Sequence, residues 1–254
     1  MLEIRELSKI YENYGEAGRL EVLDNINMEV SREEFVSIIG PSGCGKSTIF
    51  NLLCGTEEKS GGTVTLDNIQ AKPGDFSYMP QSDLLMDWKR VWENIALPLR
   101  IKGVPRFLAK ERVMSESSLY GLSGFENAWP SELSGGMRQR AAFFRTMLSS
   151  GRIMLLDEPF AALDAINRER MQEWLMEVLE REKRTILLVT HSVDEAVFLS
   201  DRVYVLTPRP ARVKCCVEIG LKRPRGCELL TSPEFNDYKA VLLKNLAEGG
   251  EGNG

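Results

Sequence analysis

The chain has 254 residues, enough for one large α/β unit or a core with a smaller lobe, and its 43% hydrophobic and 27% charged residues are ordinary for a globular protein. A net charge of −5 gives no electrostatic reason to expect a nucleic acid partner. Five cysteines, at 44, 54, 215, 216 and 227, lack C-x-x-C spacing and are joined by one histidine, so they read as free thiols rather than a metal site.

The opening Met1-Leu2-Glu3-Ile4-Arg5 lacks the basic and apolar regions of a signal peptide. The longest apolar runs, near 153–156 and 186–189, are too short to span a bilayer, so any membrane role is expected to run through a partner. Strand-like pieces follow at Leu2–Leu7, Leu20–Leu23, Ile26–Val30 and Phe35–Ile39, with Gly15 and Gly18 marking a loop. Tyr11, just after the first strand, can stack on a nucleotide base or cap the local sheet.

Gly40-Pro41-Ser42-Gly43-Cys44-Gly45-Lys46-Ser47-Thr48 stands between an apolar strand and a helix, Ile49–Cys54, that ends at Gly55. Strand, glycine-rich loop and helix together form the context that a phosphate-binding loop needs. The glycines let the backbone wrap an anion and aim successive amides at it, and the helix N-terminus adds partial positive charge. Lys46 is expected at the β- and γ-phosphates and Ser47 at Mg²⁺.

Thr63–Leu66, after Gly61-Gly62, and Phe76–Met79, before Pro80-Gln81, are further strands, with a turn at Asp67-Asn68. Residues 82–136 then read as a helical lobe without strands, with helices at Val91–Leu99 and Phe107–Leu119 broken by Gly103 and Pro105. Trp88, Trp92 and Trp129 are each expected to pack, although clustered in one small lobe they can leave an apolar groove. Leu133-Ser134-Gly135-Gly136-Met137 precedes a helix from Arg138 to Leu148; alone, Ser-Gly-Gly is either a second anion site or an ordinary loop.

Arg152–Leu156 is a strand buried on both faces, delivering Asp157 and Glu158 to its carboxyl end, where open α/β sheets bind ligands. An Asp there can hold Mg²⁺ and a Glu beside it can orient or deprotonate a water. Residues 165–182 form an amphipathic helix with Met171, Trp174, Leu175, Val178 and Leu179 on its core face. Thr185–Thr190 is another buried strand, and His191 at its end is favoured as a γ-phosphate contact over a structural role. Arg202–Leu206 completes the core pattern, and Arg212–Ile219 alternates like an exposed edge strand whose Cys215 and Cys216 point to opposite faces. Lys222-Arg223-Pro224-Arg225 reads as a solvated basic loop, and Phe235–Leu246 as a closing helix capped by Ser232 ahead of Pro233. The glycine-rich tail, 248–254, is expected to be disordered.

Gly40–Thr48, Gln81, Leu133–Met137, Ile153–Glu158, Asp164 and His191, in this order and spacing, resemble the ATPase subunit of ATP-binding-cassette (ABC) transporters. The resemblance covers 1–207, and Gly-Gly-Met-Arg-Gln-Arg, Asp-Glu-Pro-Phe-Ala-Ala-Leu-Asp and Thr207-Pro208-Arg209-Pro210 look like its nitrate/sulfonate/taurine importer branch. It implies a P-loop NTPase (RecA-like) core with an N-terminal antiparallel β subdomain, spanning 1–81 and 137–207, and an inserted α-helical subdomain, 82–136. A strand-and-helix extension, 208–247, would follow. By the same resemblance Tyr11 would stack on adenine, Lys46 and Thr48 would bind phosphates, and Ser47, Gln81 and Asp157 would hold Mg²⁺ and its water. Glu158 would activate water, His191 would contact the γ-phosphate, and Asp164 would sit at a subunit interface. Ser134, Gly135 and Gly136 would act on ATP held by the other subunit of a head-to-tail homodimer. The implied partners are transmembrane permease subunits and, indirectly, a solute-binding protein, with the chain peripheral on the cytoplasmic face of the membrane. A soluble ABC-type ATPase of DNA repair or translation is the alternative; such proteins carry long coiled-coil, zinc or tandem-cassette insertions, unlike this single cassette with a short lobe.

Overall fold

The alternation of apolar side chains between two cores explains why the central strands read as unbroken hydrophobic runs. In this computed structural model, which describes residues 1–12, 18–161 and 163–248, a six-stranded sheet has the order β10-β9-β3-β8-β7-β6. Its strands are β3 (Phe35–Ile39), β6 (Phe76–Met79), β7 (Ile153–Asp157), β8 (Thr185–Val189), β9 (Arg202–Leu206) and β10 (Val213–Glu218). All pair in parallel except β10, which runs antiparallel along the edge at β9. Val36, Ile38, Ile153, Leu155, Leu187 and Val189 face one core, while Phe35, Ile39, Met154, Leu156, Ile186 and Leu188 face the other. Period-two side chains on a sheet covered on both faces produce this pattern.

The first core is closed by α1 (Lys46–Cys54) and by a four-stranded antiparallel sheet of order β2-β1-β4-β5. Its strands are β1 (Leu2–Glu12), β2 (Arg19–Val30), β4 (Gly61–Leu66) and β5 (Ile69–Gln70). β2 is one strand, not the two expected pieces: an irregular register and Asn25 at φ 53° interrupt the apolar alternation without ending the pairing. The second core is covered by helices, including α5 (Gly135–Met147), α6 (Ala165–Glu182), α7 (Val193–Leu199) and α8 (Pro233–Ala247).

Between β6 and β7 lie α2 (Val91–Ile95), α3 (Leu97–Ile101) and α4 (Arg106–Glu116), with no strand among residues 82–136. The three tryptophans there do not share one groove: Trp92 is buried, Trp129 lies under the Arg90 guanidinium at 3.7 Å, and Trp88 is 75% exposed. The packing expected of Trp88 is therefore wrong. α7 had no expected counterpart. α8 begins as expected, with Ser232 accepting from the Phe235 amide ahead of the first turn.

The segment 222–225 corrects the sequence reading most. It is not a solvated basic loop: Arg225 is 5% exposed and donates to the carbonyls of Val197, Phe198, Ser200 and Leu221. Arg223 pairs with Asp201 at 2.9 Å and donates to the Leu199 carbonyl. The two arginines thus cap the C-terminal end of α7, where carbonyls lack helical partners and a cation is favoured. Gly15, the side chains of Leu179 and Cys227, and residues 249–254 of the expected tail lie outside the described residues; Glu248 closes α8.

Candidate nucleotide-binding site

Four neighbouring strands of the parallel sheet deliver their carboxyl ends to one rim. β3 leads into the loop 40–45, β8 into His191, β7 into Asp157-Glu158 and β6 into Gln81. A cavity of about 580 Å³ opens there, lined by Ser42, Gly43, Gly45, Lys46, Ser47, Thr48, Glu158, His191 and Arg209. Gly45 has φ 122°, and a Cβ on it would stand 2.8 Å from Val22 and 2.9 Å from Leu23, so only glycine lets the loop pass the antiparallel sheet.

Lys46 is buried at the start of α1, its ammonium donating to the carbonyls of Gly40 at 2.8 Å and Pro41 at 3.0 Å. Neutral carbonyls hold this cation without cancelling its charge. The Cys44 side chain is buried in the core below the loop, and its amide donates to the Pro41 carbonyl at 3.3 Å. Cys44 thus shapes the loop without presenting its thiol to the cavity, and burial raises that thiol's pKa.

Asp157 is buried behind the cavity and accepts from the hydroxyls of Ser47 at 3.3 Å and Tyr78 at 3.1 Å. Burial raises its pKa, helped by the Glu158 carboxylate and only partly offset by the two hydroxyls and the Lys46 charge. A divalent cation fits this pair, since a hydroxyl and a buried carboxylate oxygen already converge and a cation would offset the desolvation.

Glu158 follows at φ 45°, a left-handed conformation uncommon for a side chain larger than glycine, held by its amide donating to the Val189 carbonyl at 2.8 Å. Its carboxylate meets His191 Nδ1 at 3.2 Å and accepts from the Gln81 amide at 3.3 Å. Gln81 therefore reaches Glu158 rather than the Ser47–Asp157 pair. Behind His191, Thr190 accepts from the Ser192 amide and donates to the buried Glu195, and Ser192 caps α7. These braces were missed in the sequence although Ser192 and Glu195 stand at capping-box spacing. Tyr78 and Arg209 were missed as site residues too: Tyr78 belongs to no motif, and Thr207-Pro208-Arg209-Pro210 carried a family likeness without a role at the site.

Tyr11 lies outside the cavity lining. Its phenol donates to Glu57, Lys9 stands 4.5 Å over its ring, and burial together with Glu57 pushes its pKa up to about 12. Asp164 accepts from the Asn167 amide at 3.0 Å ahead of α6, and this bond and the Asn167 side chain hold its pKa down. Ser134 caps α5 by accepting from the Met137 amide, with Gly135 and Gly136 as the first helical residues. Ser134 and Gly135 are exposed, and a Cβ on either glycine would meet nothing within 4 Å. Ser134, Gly135, Gly136 and Asp164 are absent from the cavity of their own chain.

A phosphate loop, an Asp-Glu pair and a histidine at the carboxyl rim of a parallel sheet define a P-loop ATPase that binds ATP. A sequence model of the ABC transporter family matches residues 23–161, and the chain belongs to that family. The chain is 43% identical to the "Formylaminopyrimidine import ATP-binding protein ThiZ" of Halalkalibacterium halodurans over 225 residues, 89% of this chain and 88% of that one. It is 36% identical to the "Aliphatic sulfonates import ATP-binding protein SsuB" of Bacillus anthracis over 251 residues, 98% of this chain and 97% of that one. Among solved structures, the dimeric post-hydrolysis state of the ATP-binding cassette MJ0796 bound to ADP and Pi matches with a TM-score of 0.75. That structure is 28% identical, and the match covers 87% of this chain and all of that one.

Proposed function

We propose that this chain is the energising ATPase of an importer, working as a head-to-tail homodimer beneath partner permease subunits on the cytoplasmic face of the membrane. One observation carries the reading: the cis cavity holds Lys46, Glu158 and His191, whereas the capped helix start at Ser134-Gly135-Gly136 points out of the same chain. A helix N-terminus with two unobstructed glycines favours an anion, and a second copy's nucleotide is the anion that a head-to-tail pair would bring. Asp164 would lie at the same subunit interface.

Within one site, Lys46, Thr48 and the amides of the loop bind the phosphates, and Tyr11 takes the base. Ser47 and Asp157 would hold Mg²⁺, while Gln81, bonded to Glu158, would orient the attacking water. The metal, when bound, neutralises phosphate charge. Glu158, turned toward the cavity by its left-handed backbone, accepts a proton from the attacking water. His191 Nδ1 keeps the Glu158 carboxylate oriented, and its ring is placed to meet the γ-phosphate. Gln81, bonded to Glu158 and joined to the helical lobe, links the site to that lobe.

The lobe exposes Leu84, Trp88, Ile101 and Phe107, an apolar surface suited to a permease. Among the described residues no helix is long and apolar enough to cross a membrane, so such a partner would supply the pathway. A nitrate-, sulfonate- or taurine-like solute is our finer assignment, supported by the likeness to the sulfonate-import protein; the formylaminopyrimidine-import relative marks the competing solute class. A solute-binding protein would act through the permease.

Mixing subunits tests the pairing. Lys46→Ala and Ser134→Arg chains, each inactive alone, should regain ATPase activity when combined, because one composite site per pair is then intact. No recovery at any ratio would rule out head-to-tail sharing.

A further inference from the structure

The nucleotide cavity has a second cation at its mouth. Arg209 belongs to the turn after β9, outside the residues that the family match covers. This turn is pinned on both sides. The Ala211 amide donates to the Val22 carbonyl at 2.8 Å, and the Asp24 amide to the Ala211 carbonyl at 2.9 Å, so the turn is stitched to β2. The Thr207 amide donates to the Arg212 carbonyl at 3.0 Å, and the Thr207 hydroxyl accepts from the Arg212 amide at 2.9 Å, closing the turn on itself. Below it, Leu206 packs on Gly40: a Cβ at Gly40 would stand 3.0 Å from the Leu206 Cβ. The base of Arg209 is therefore fixed relative to the phosphate loop.

Its guanidinium donates to the carbonyl of Gly43, inside that loop. The neighbouring Arg212 is neutralised by Asp24, but among the described residues no carboxylate pairs with the exposed Arg209. Lys46 shows the same arrangement from beneath, resting on the carbonyls of Gly40 and Pro41. Two cations thus sit on neutral carbonyls of one loop, both lining one cavity.

We propose that Arg209 is a nucleotide-binding residue, its guanidinium exchanging the Gly43 carbonyl for the polyphosphate of ATP as a second cation beside Lys46. The exchange replaces a bond to a neutral acceptor with a charge-assisted one, and the planar fork suits a phosphate better than an ammonium does. Because the turn is already pinned, ordering the side chain is the main entropic cost. This rests on the ATP site being where Lys46 and its loop place it.

Titration of the full chain with ATP, ADP and adenosine tests the assignment, using Arg209→Ala, Arg209→Lys and Lys46→Ala. Arg209→Ala should weaken ATP and ADP binding about tenfold, the size expected for one exposed charge-assisted contact, and leave adenosine within about twofold. Its ATP affinity should also fall less steeply than wild type between about 0.05 and 0.3 M salt. In steady-state assays the loss should appear mainly in KM. Arg209→Lys should recover part of the affinity, which a role confined to packing would not give. Wild-type ATP affinity in Arg209→Ala, while Lys46→Ala binds weakly, would overturn the Arg209 assignment and leave the site reading intact. Equal weakening for ATP and adenosine, or a loss unaffected by salt, would overturn it as well, since either marks a distorted loop rather than a missing charge. If Lys46→Ala also binds like wild type, the site reading falls first and Arg209 with it.

Discussion

Arg225 is a buried cation with no carboxylate in contact among the described residues. Its donors go to main-chain carbonyls at the end of α7 and in the strand-to-loop segment, and burial pulls its pKa down to about 10, leaving it charged at neutral pH. Removing it orphans several buried acceptors at once, each costing about 1–3 kcal/mol where water cannot enter. Arg225→Ala should therefore lose at least ~3 kcal/mol of stability, a fall of roughly 6–12 °C in melting temperature for a chain of this size. Arg225→Lys should recover less than half of that, because one ammonium cannot reach what a five-donor fork reaches. Thermal unfolding followed by circular dichroism measures both. Nothing in Lys222-Arg223-Pro224-Arg225 as a string distinguishes this residue from a solvated one. Charge runs are usually exposed, and the carbonyls that made this one an exception lie about 25 residues earlier in the chain.

Elements were legible where one rule dominated. β3, β7, β8 and β9 read correctly because burial on both faces leaves an apolar run that only a covered strand explains. α6 read correctly from its period, and α8 from Ser232 and Pro233. α7 was lost because its seven residues, pressed into the core, carry Val193, Ala196, Val197, Phe198 and Leu199, too short and too apolar for a face to show. The phosphate loop, the Asp-Glu pair and His191 were legible because strand ends place chemistry predictably. Arg209 was not, since its position depends on hydrogen bonds between β2 and the turn after β9. Close approach between elements is equally invisible in sequence. Gly151, just before β7, has no room for a side chain: a Cβ there would stand 2.2 Å from the Ser77 amide nitrogen and 2.4 Å from the Phe76 carbonyl carbon. Gly151→Ala should push β6 from β7 and cost about 3 kcal/mol or more, read as a lowered urea midpoint. Because β6 leads into Gln81, ATPase activity should fall with it.

At the scale of the molecule, the proposed function divides the site between what one chain completes and what it presents outward. Glu158→Gln keeps the shape and the hydrogen bond from Gln81 but cannot take a proton. Under ATP, this variant should accumulate as a dimer in light scattering, with turnover reduced about 10²–10⁴-fold, the usual worth of a general base. Normal turnover would remove Glu158 from that role. The arginine cap on α7 has one more consequence. The family match stops at residue 161, yet the segment around 223–225 holds one end of the helix whose other end begins beside His191. The segment 222–225 is thus a bolt rather than a trailer. Exchanging these arginines for a relative's residues would change how firmly α7 and the neighbouring His191 are seated, so two cassettes with identical motifs can differ in turnover through residues outside the nucleotide cavity.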